Sequence, residues 1–330
     1  MMKTVMLATL ACLTVACGER PPIDSEQIGY RGTAMGTVSN PRMEQPDNTI
    51  PDVLPAAASA GPKAGAIYQN VQVLGDLSIG EFTRTMQAMT NWVSPEQGCG
   101  YCHNVQNMAD DGLYTKVVSR RMLQMTRDIN QNWDKHVGGA GVTCYTCHRG
   151  NNVPEYIWFA ADPAEDKSSP YAGNLAGQNK ASATAAFSSL PGDPMTRFLV
   201  GGYDDIRVVS ESPSAAYETG TIKDTEWTYA LMMHMSESLG VNCTFCHNSR
   251  AFSSWEESPP QRVTAWHGLR MVSGLNSEYL DPLQPVYPDN RLGPSGDAPK
   301  AYCSTCHQGQ NKPLGGANMV KDYEASMIGN

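Results

Sequence analysis

Phe82, Met86, Met89 and Val93 recur at intervals of four, three and four residues. That spacing places them on one face of an α-helix. Ser94-Pro95 ends the run, because the residue before a proline is pushed out of the helical region. A second helical pattern lies in residues 120–150, RRMLQMTRDINQNWDKHVGGAGVTCYTCHRG. Met122 and His136 lie fourteen residues apart in it, close to four turns. On one unbroken helix they would share a face yet stand about 21 Å apart along the axis. A third run crowds Met232, Met233, His234 and Met235 together, and a fourth carries Met271. Residues 281–292, DPLQPVYPDNRL, are Pro-rich and lack methionine.

The pattern repeats. Glu81-Phe82-Thr83 and Glu226-Trp227-Thr228 open matching helical segments that run into CGYCHN and CTFCHN. A second pair of segments, MTRDIN from Met125 to Asn130 and MVSGLN from Met271 to Asn276, follows in each half. In that register Gly268 stands where the first half has Met122. The expected organisation is a signal peptide over 1–16, an extended arm over 17–66 and a first lobe over 67–163. A connecting segment over 164–210, a second lobe over 211–312 and a tail over 313–330 complete it. The arm lacks lasting periodicity and is expected to be ordered, if at all, against a partner; the connector shares its low-complexity character.

Composition and charge narrow the partners. The chain has 330 residues, a net charge of −9 and 17% charged residues. An acidic surface repels nucleic acid and attracts a basic protein. Residues 1–17, MMKTVMLATLACLTVAC, read as a secretory signal: one lysine, then an apolar run too short to span a bilayer comfortably. Its end, Leu13-Thr14-Val15-Ala16-Cys17, is similar to a lipobox, with Cys17 as the acylated first residue of an exported protein.

Cysteine usage supplies the chemistry. Eight of the ten cysteines form four CxxCH motifs: Cys99/Cys102/His103, Cys144/Cys147/His148, Cys243/Cys246/His247 and Cys303/Cys306/His307. CxxCH is the attachment signature of a c-type haem, in which two thioethers hold the porphyrin and the histidine ligates iron. The expected fold is therefore mainly α with long irregular segments. It would be a multihaem cytochrome c built from four helix–turn–CxxCH units in two pseudo-repeated pairs, with four covalent haems. Only three of seven histidines, His136, His234 and His267, remain for distal positions. At least one haem must therefore take another ligand, and methionine is the natural one. Met86 suits the first haem. For the third, Met232, its methionine neighbours and His234 all remain open. The fourth has no methionine at the usual upstream distance, so its ligand comes from elsewhere; His136 can project towards a different haem from Met122, with His267 as its rival.

The strings EFTRTMQAMTNWVSPEQGCGYCH, the stretch quoted above over 120–150, and TYALMMHMSESLGVNCTFCHN resemble the tetrahaem cytochrome c subunit of the purple-bacterial photosynthetic reaction centre. The likeness runs over residues 75–309. It implies distal ligands Met86, Met122 and Met232 on the first three haems, and His136 opposite His307 on the fourth. It implies docking on the L and M subunits, with H and the light-harvesting antenna in the same complex, and the third haem nearest the bacteriochlorophyll pair. It further implies a soluble donor, such as a small cytochrome c or a high-potential iron–sulfur protein, and a lipid-anchored place on the periplasmic face of the inner membrane. The chain would then be an electron carrier without catalytic residues. A multihaem reductase would need an iron with an open position, and a free shuttle would not need an anchor.

Overall fold

The computed structural model describes residues 23–27, 36–42, 48–160, 185, 188–200, 206 and 221–329. The expected signal segment, Cys17 and most of the expected connector lie outside the described residues. Among these the protein is mainly helical, with long irregular stretches, as the pattern predicts.

A short antiparallel sheet pairs β1 (Asp24–Gln27) with β2 (Gly36–Ser39), Asp24 opposite Ser39. A single helical turn, α1 (Ala64–Ile67), precedes the first long helix, α2 (Ile79–Val93). A capping box starts α2: Ser78 Oγ accepts the Glu81 N–H, and the Glu81 carboxylate accepts the Ser78 N–H, each at 3.1 Å. It ends at Ser94, where Pro95 forbids continuation.

Helix α3 (Tyr114–Asn132) does not run through to His136. Trp133 leaves the helical region at φ −118°, ψ 32°, and its indole N–H turns back to Asp128 at 3.3 Å. A separate turn, α4 (Asp134–Val137), then carries His136 and closes at Gly138, φ +58°. The conditional expectation of one continuous helix therefore fails. Met122 and His136 diverge because the chain bends, not because one straight rod separates them.

The second motif forms α5 (Cys144–His148). Helix α6 (Pro194–Leu199) buries Phe198 and Leu199 beneath α7 (Ile222–Leu239) and α8 (Gln261–Gly274). Helix α7 is opened by a Thr221–Asp224 capping box and closed by Gly240 in the left-handed region, φ +63°. Glycine is needed there twice over, because a Cβ would lie 2.1 Å from the Gly309 carbonyl oxygen. Helix α8 continues into a π-turn, Leu275–Leu280, and a 3₁₀ turn, Asp281–Val286. The fourth motif forms α9 (Cys303–His307), which packs on α7, and α10 (Glu324–Met327) ends the chain's helices.

Two apolar cores result. One gathers Leu77, Trp92 and Leu123 with Val320, Tyr323 and Met327; the other gathers Ile129, Phe198, Leu231 and Leu269. The chain's last turns thus pack into the core of the first motif pair. Tyr323 meets Trp92 edge-on at 4.8 Å, Arg127 donates to the Ser326 and Ala325 carbonyls, and Asn130 donates to that of Met327. Residues 48–62, expected in the arm, lie against this same body rather than awaiting a partner. Leu54 donates to the Tyr323 hydroxyl at 3.2 Å, and its carbonyl accepts from Arg84 at 2.8 Å. An apolar Leu54 at the edge of the first core supplies the reason. Among the described residues no helix is long and apolar enough to cross a membrane.

Candidate functional site

The four motifs adopt two conformations. Cys99 lies in a 3₁₀ turn, Gly98–Tyr101, and Cys243 in another, Cys243–Phe245. The second and fourth motifs are α-helical turns, and both begin alike: the Thr143 N–H donates to Thr146 Oγ1, and the Tyr302 N–H to Thr305 Oγ1, each at 3.0 Å. Both also end alike, through a left-handed residue, Arg149 (φ 46°) or Gln308 (φ 48°), and then a glycine.

The motif histidines follow the same division. His148 and His307 direct Nδ1 at the carbonyls of Asn151 (2.9 Å) and Gln310 (2.8 Å), three residues on. His103 and His247 direct Nδ1 at those of Met108 (3.2 Å) and Phe252 (3.0 Å), five residues on. A carbonyl oxygen only accepts, so Nδ1 carries the proton and Nε2 keeps its lone pair for a metal. Burial holds His148 and His247 below the ordinary imidazole range, and burial with His136 nearby takes His307 down to about 4. The neutral ring is the ligating form.

A single cavity of about 1680 Å³ joins three motifs. Cys99, Cys102 and His103, Cys144, Cys147 and His148, and Cys303, Cys306 and His307 all line it, as do Met86, Met122 and His136. A pocket for one drug-sized ligand measures about 300–1,000 Å³, so this one has room for more than one group. The second and fourth motifs meet inside it, with Cys147 Sγ and Cys306 Sγ 2.9 Å apart.

His136 and His307 face each other across this space, ring centroids 5.9 Å apart and planes at 66°. Both rings line the cavity between them. His136 Nδ1 is tied to the Thr264 carbonyl of α8 at 3.0 Å, which leaves Nε2 as its free nitrogen. Burial lowers its pKa as well. His267, on the same helix as Thr264, is not among the residues lining the cavity.

The third motif reaches the cavity only through Phe245. Cys243, Cys246 and His247 do not line the shared cavity. Met232 and Met235 pack against the second core. His234 is buried and committed elsewhere: its ring stacks on Tyr302 at 4.7 Å, and its Nε2 lies 3.3 Å from Ser238 Oγ, which in turn meets Ser304 Oγ at 2.7 Å. Burial takes its pKa down to about 4.

Two sets of supporting residues escape motif reading. Asn130 Nδ2 donates to the Val142 carbonyl at 2.9 Å and its Oδ1 accepts the Val142 N–H at 2.7 Å. Asn276 does the same to Ala301, both bonds at 2.9 Å, and also donates to Leu199. Val142 and Ala301 each stand two residues before a CxxCH. The second set is cationic. Lys116 Nζ donates to the Met108 carbonyl at 2.8 Å, and the Arg262 guanidinium reaches that of Phe252 at 3.4 Å. These are the same carbonyls that hold His103 and His247. The register pairing Met125 with Met271 also pairs Asn130 with Asn276 and Lys116 with Arg262, so the repeat itself was the available signal.

The sequence profile of the photosynthetic reaction centre cytochrome c subunit family matches residues 19–327. The chain belongs to this family. It is 51% identical to the photosynthetic reaction center cytochrome c subunit of Rubrivivax gelatinosus, over 97% of this chain and 88% of that one. The same-named protein of Thermochromatium tepidum is 50% identical over 96% of this chain and 78% of its own. That of Roseobacter denitrificans is 44% identical over 95% and 88%. Membership brings a reaction-centre electron-transfer role, covalently bound haem c, and association with the reaction-centre complex at the membrane.

Proposed function

We propose that this chain carries four haem c groups and passes electrons from a soluble periplasmic carrier to the photo-oxidised bacteriochlorophyll pair of the L and M subunits. The shared cavity carries the reading: three CxxCH motifs open into one space, and the second and fourth come within van der Waals reach of each other. Haem supplies a reversible one-electron iron couple when bound. The chain's residues supply attachment, spacing, axial ligands and a water-poor surrounding.

The residues fit that cofactor. Each motif histidine keeps Nε2 unprotonated through its Nδ1–carbonyl bond. Met86 and Met122 line the cavity with His103 and His148, which supports them as distal ligands of the first two haems. The stacking of His234 on Tyr302 supports Met232 for the third. The facing rings of His136 and His307 support bis-histidine ligation of the fourth. The alternation of two motif conformations and the paired Asn130 and Asn276 clamps support two pseudo-repeated pairs of units. Acylation of Cys17 would hold the chain on the periplasmic face of the inner membrane.

Flash excitation of membranes containing the holoprotein tests this function. Oxidation of a c-type haem should follow the flash, with the bacteriochlorophyll pair re-reduced at the same rate. Re-reduction without haem oxidation would overturn it.

A further inference from the structure

We propose that Gly268 selects the ligand class of the fourth haem, by leaving empty the position from which its counterpart in the first half, Met122, lines the cavity. The proposal rests on the reading of His136 as the distal ligand opposite His307. It adds what makes that ligand possible and what excludes a methionine.

The argument starts from register. The alignment that pairs Met125 with Met271 also pairs Met122 with Gly268. Two independent sets of bonds confirm it in three dimensions. Asn130 and Asn276 clamp equivalent backbone before their motifs, and Lys116 and Arg262 reach equivalent carbonyls after theirs. Gly268 is therefore the structural counterpart of a cavity-lining methionine.

The His136 ring has taken the space. A Cβ built on Gly268 would lie 2.5 Å from His136 Cε1, 2.7 Å from Nδ1 and 3.1 Å from Nε2. Real side chains do not approach so closely, and the ring cannot simply slide away. Its Nδ1 is bonded to the Thr264 carbonyl, one turn earlier on the same face of α8. Thr264 thus orients the ring, and Gly268 lets it lie against the helix backbone. Glycine in a helix interior is disfavoured relative to alanine. Gly268 is buried mid-helix and not at a terminus, so helix formation does not account for it. Any side chain there would push His136 off the line to His307, and a methionine would compete for the iron.

Two variants decide the matter, read by midpoint potential and by electron paramagnetic resonance of the purified four-haem protein. Gly268→Ala should abolish the bis-imidazole signature of one haem while the other three keep their methionine–histidine signatures. A wild-type signature and potential in Gly268→Ala would overturn the proposal. The double variant Gly268→Met/His136→Ala removes the ring the new side chain would strike, so it remains decisive if Gly268→Ala does not accumulate. It should regain six-coordination with a methionine–histidine signature and a raised potential at the haem attached to Cys303 and Cys306. Failure to form that signature would overturn the proposal. His136→Ala alone separates the two layers: if it leaves the fourth haem unchanged, the ligand reading itself has failed, not only the role of glycine.

Discussion

At the scale of single residues, the four motif histidines are not equivalent. The carbonyls bonded to His103 and His247 also accept from Lys116 and Arg262, and a cation draws electron density from the oxygen it touches. On the proposed ligation those two imidazoles would be weaker donors to iron, which would favour the reduced state. Lys116→Met should lower the potential of the haem attached at Cys99 and Cys102 and leave the other three in place. A redox titration resolved by α-band position checks this, and four unchanged potentials would remove the shared carbonyl from the account. Asp111 stays paired with Arg120 in that variant, at 2.9 Å, so no new lone charge confuses the result. Met232→His belongs at the same scale and should lower the potential of the third haem alone. The motif residues were legible in sequence because covalent attachment imposes a fixed spacing. The Lys116 and Arg262 contacts were not, because they depend on loops folding back over five residues to meet a helix. His234 illustrates the limit from the other side: its position beside Met232 makes it a ligand candidate, and its stacking on Tyr302 is a contact the spacing does not reveal.

At the scale of elements, α2 begins at its capping box and ends at Pro95, α7 begins at its capping box and ends at Gly240, and the expected stripe of Phe82, Met86 and Met89 packs against the first core. The end of α3 was not legible. Neither Pro nor Gly stops it; Trp133 does, with an indole tied back to Asp128, and no local rule marks that residue as a terminus. The repeat pairing between Met125–Asn130 and Met271–Asn276 was visible as a pattern, but its physical content is the asparagine at the end of each segment. Asn276 is fully buried and satisfies three backbone groups. Asn276→Ala leaves those groups without partners, at about 3 kcal/mol in total after relaxation. Asn130→Ala should cost less, since Asn130 is only half buried. Denaturant unfolding followed through the Soret band checks both. Equal midpoints for Asn276→Ala and the parent would show the clamp to be idle.

At the scale of the whole molecule, three predictions concern what the chain carries and what it meets. Mass spectrometry of the mature protein should show four haem additions on an acylated chain beginning at Cys17; three additions, or an intact Met1, would contradict it. Purification from photosynthetic membranes should recover the chain with bacteriochlorophyll-containing subunits. With a net charge of −9, encounter with a basic donor should slow as salt is raised from low to physiological ionic strength, where the Debye length is about 8 Å. A rate indifferent to salt would assign docking to apolar contacts. The family and its electron-transfer role were legible from the motif strings, because those strings are long and tied to one chemistry. The joining of three motifs in one cavity was not, since it depends on how α5 and α9 meet across residues far apart in sequence.

The packing of the last turns against Trp92 and Arg127 bears on how the molecule comes into being. Residues 319–328 follow all four motifs in sequence, yet they complete the core around the first two. The first half therefore does not complete its core until residues 319–328 dock on it. Residues 319–328 thus work as a latch, and their loss should damage the first pair of haem sites rather than the nearer second pair. A chain stopped after residue 318 should show faster hydrogen exchange in α2 and α3 than in α7 and α8; the reverse order would mean that the latch does not hold.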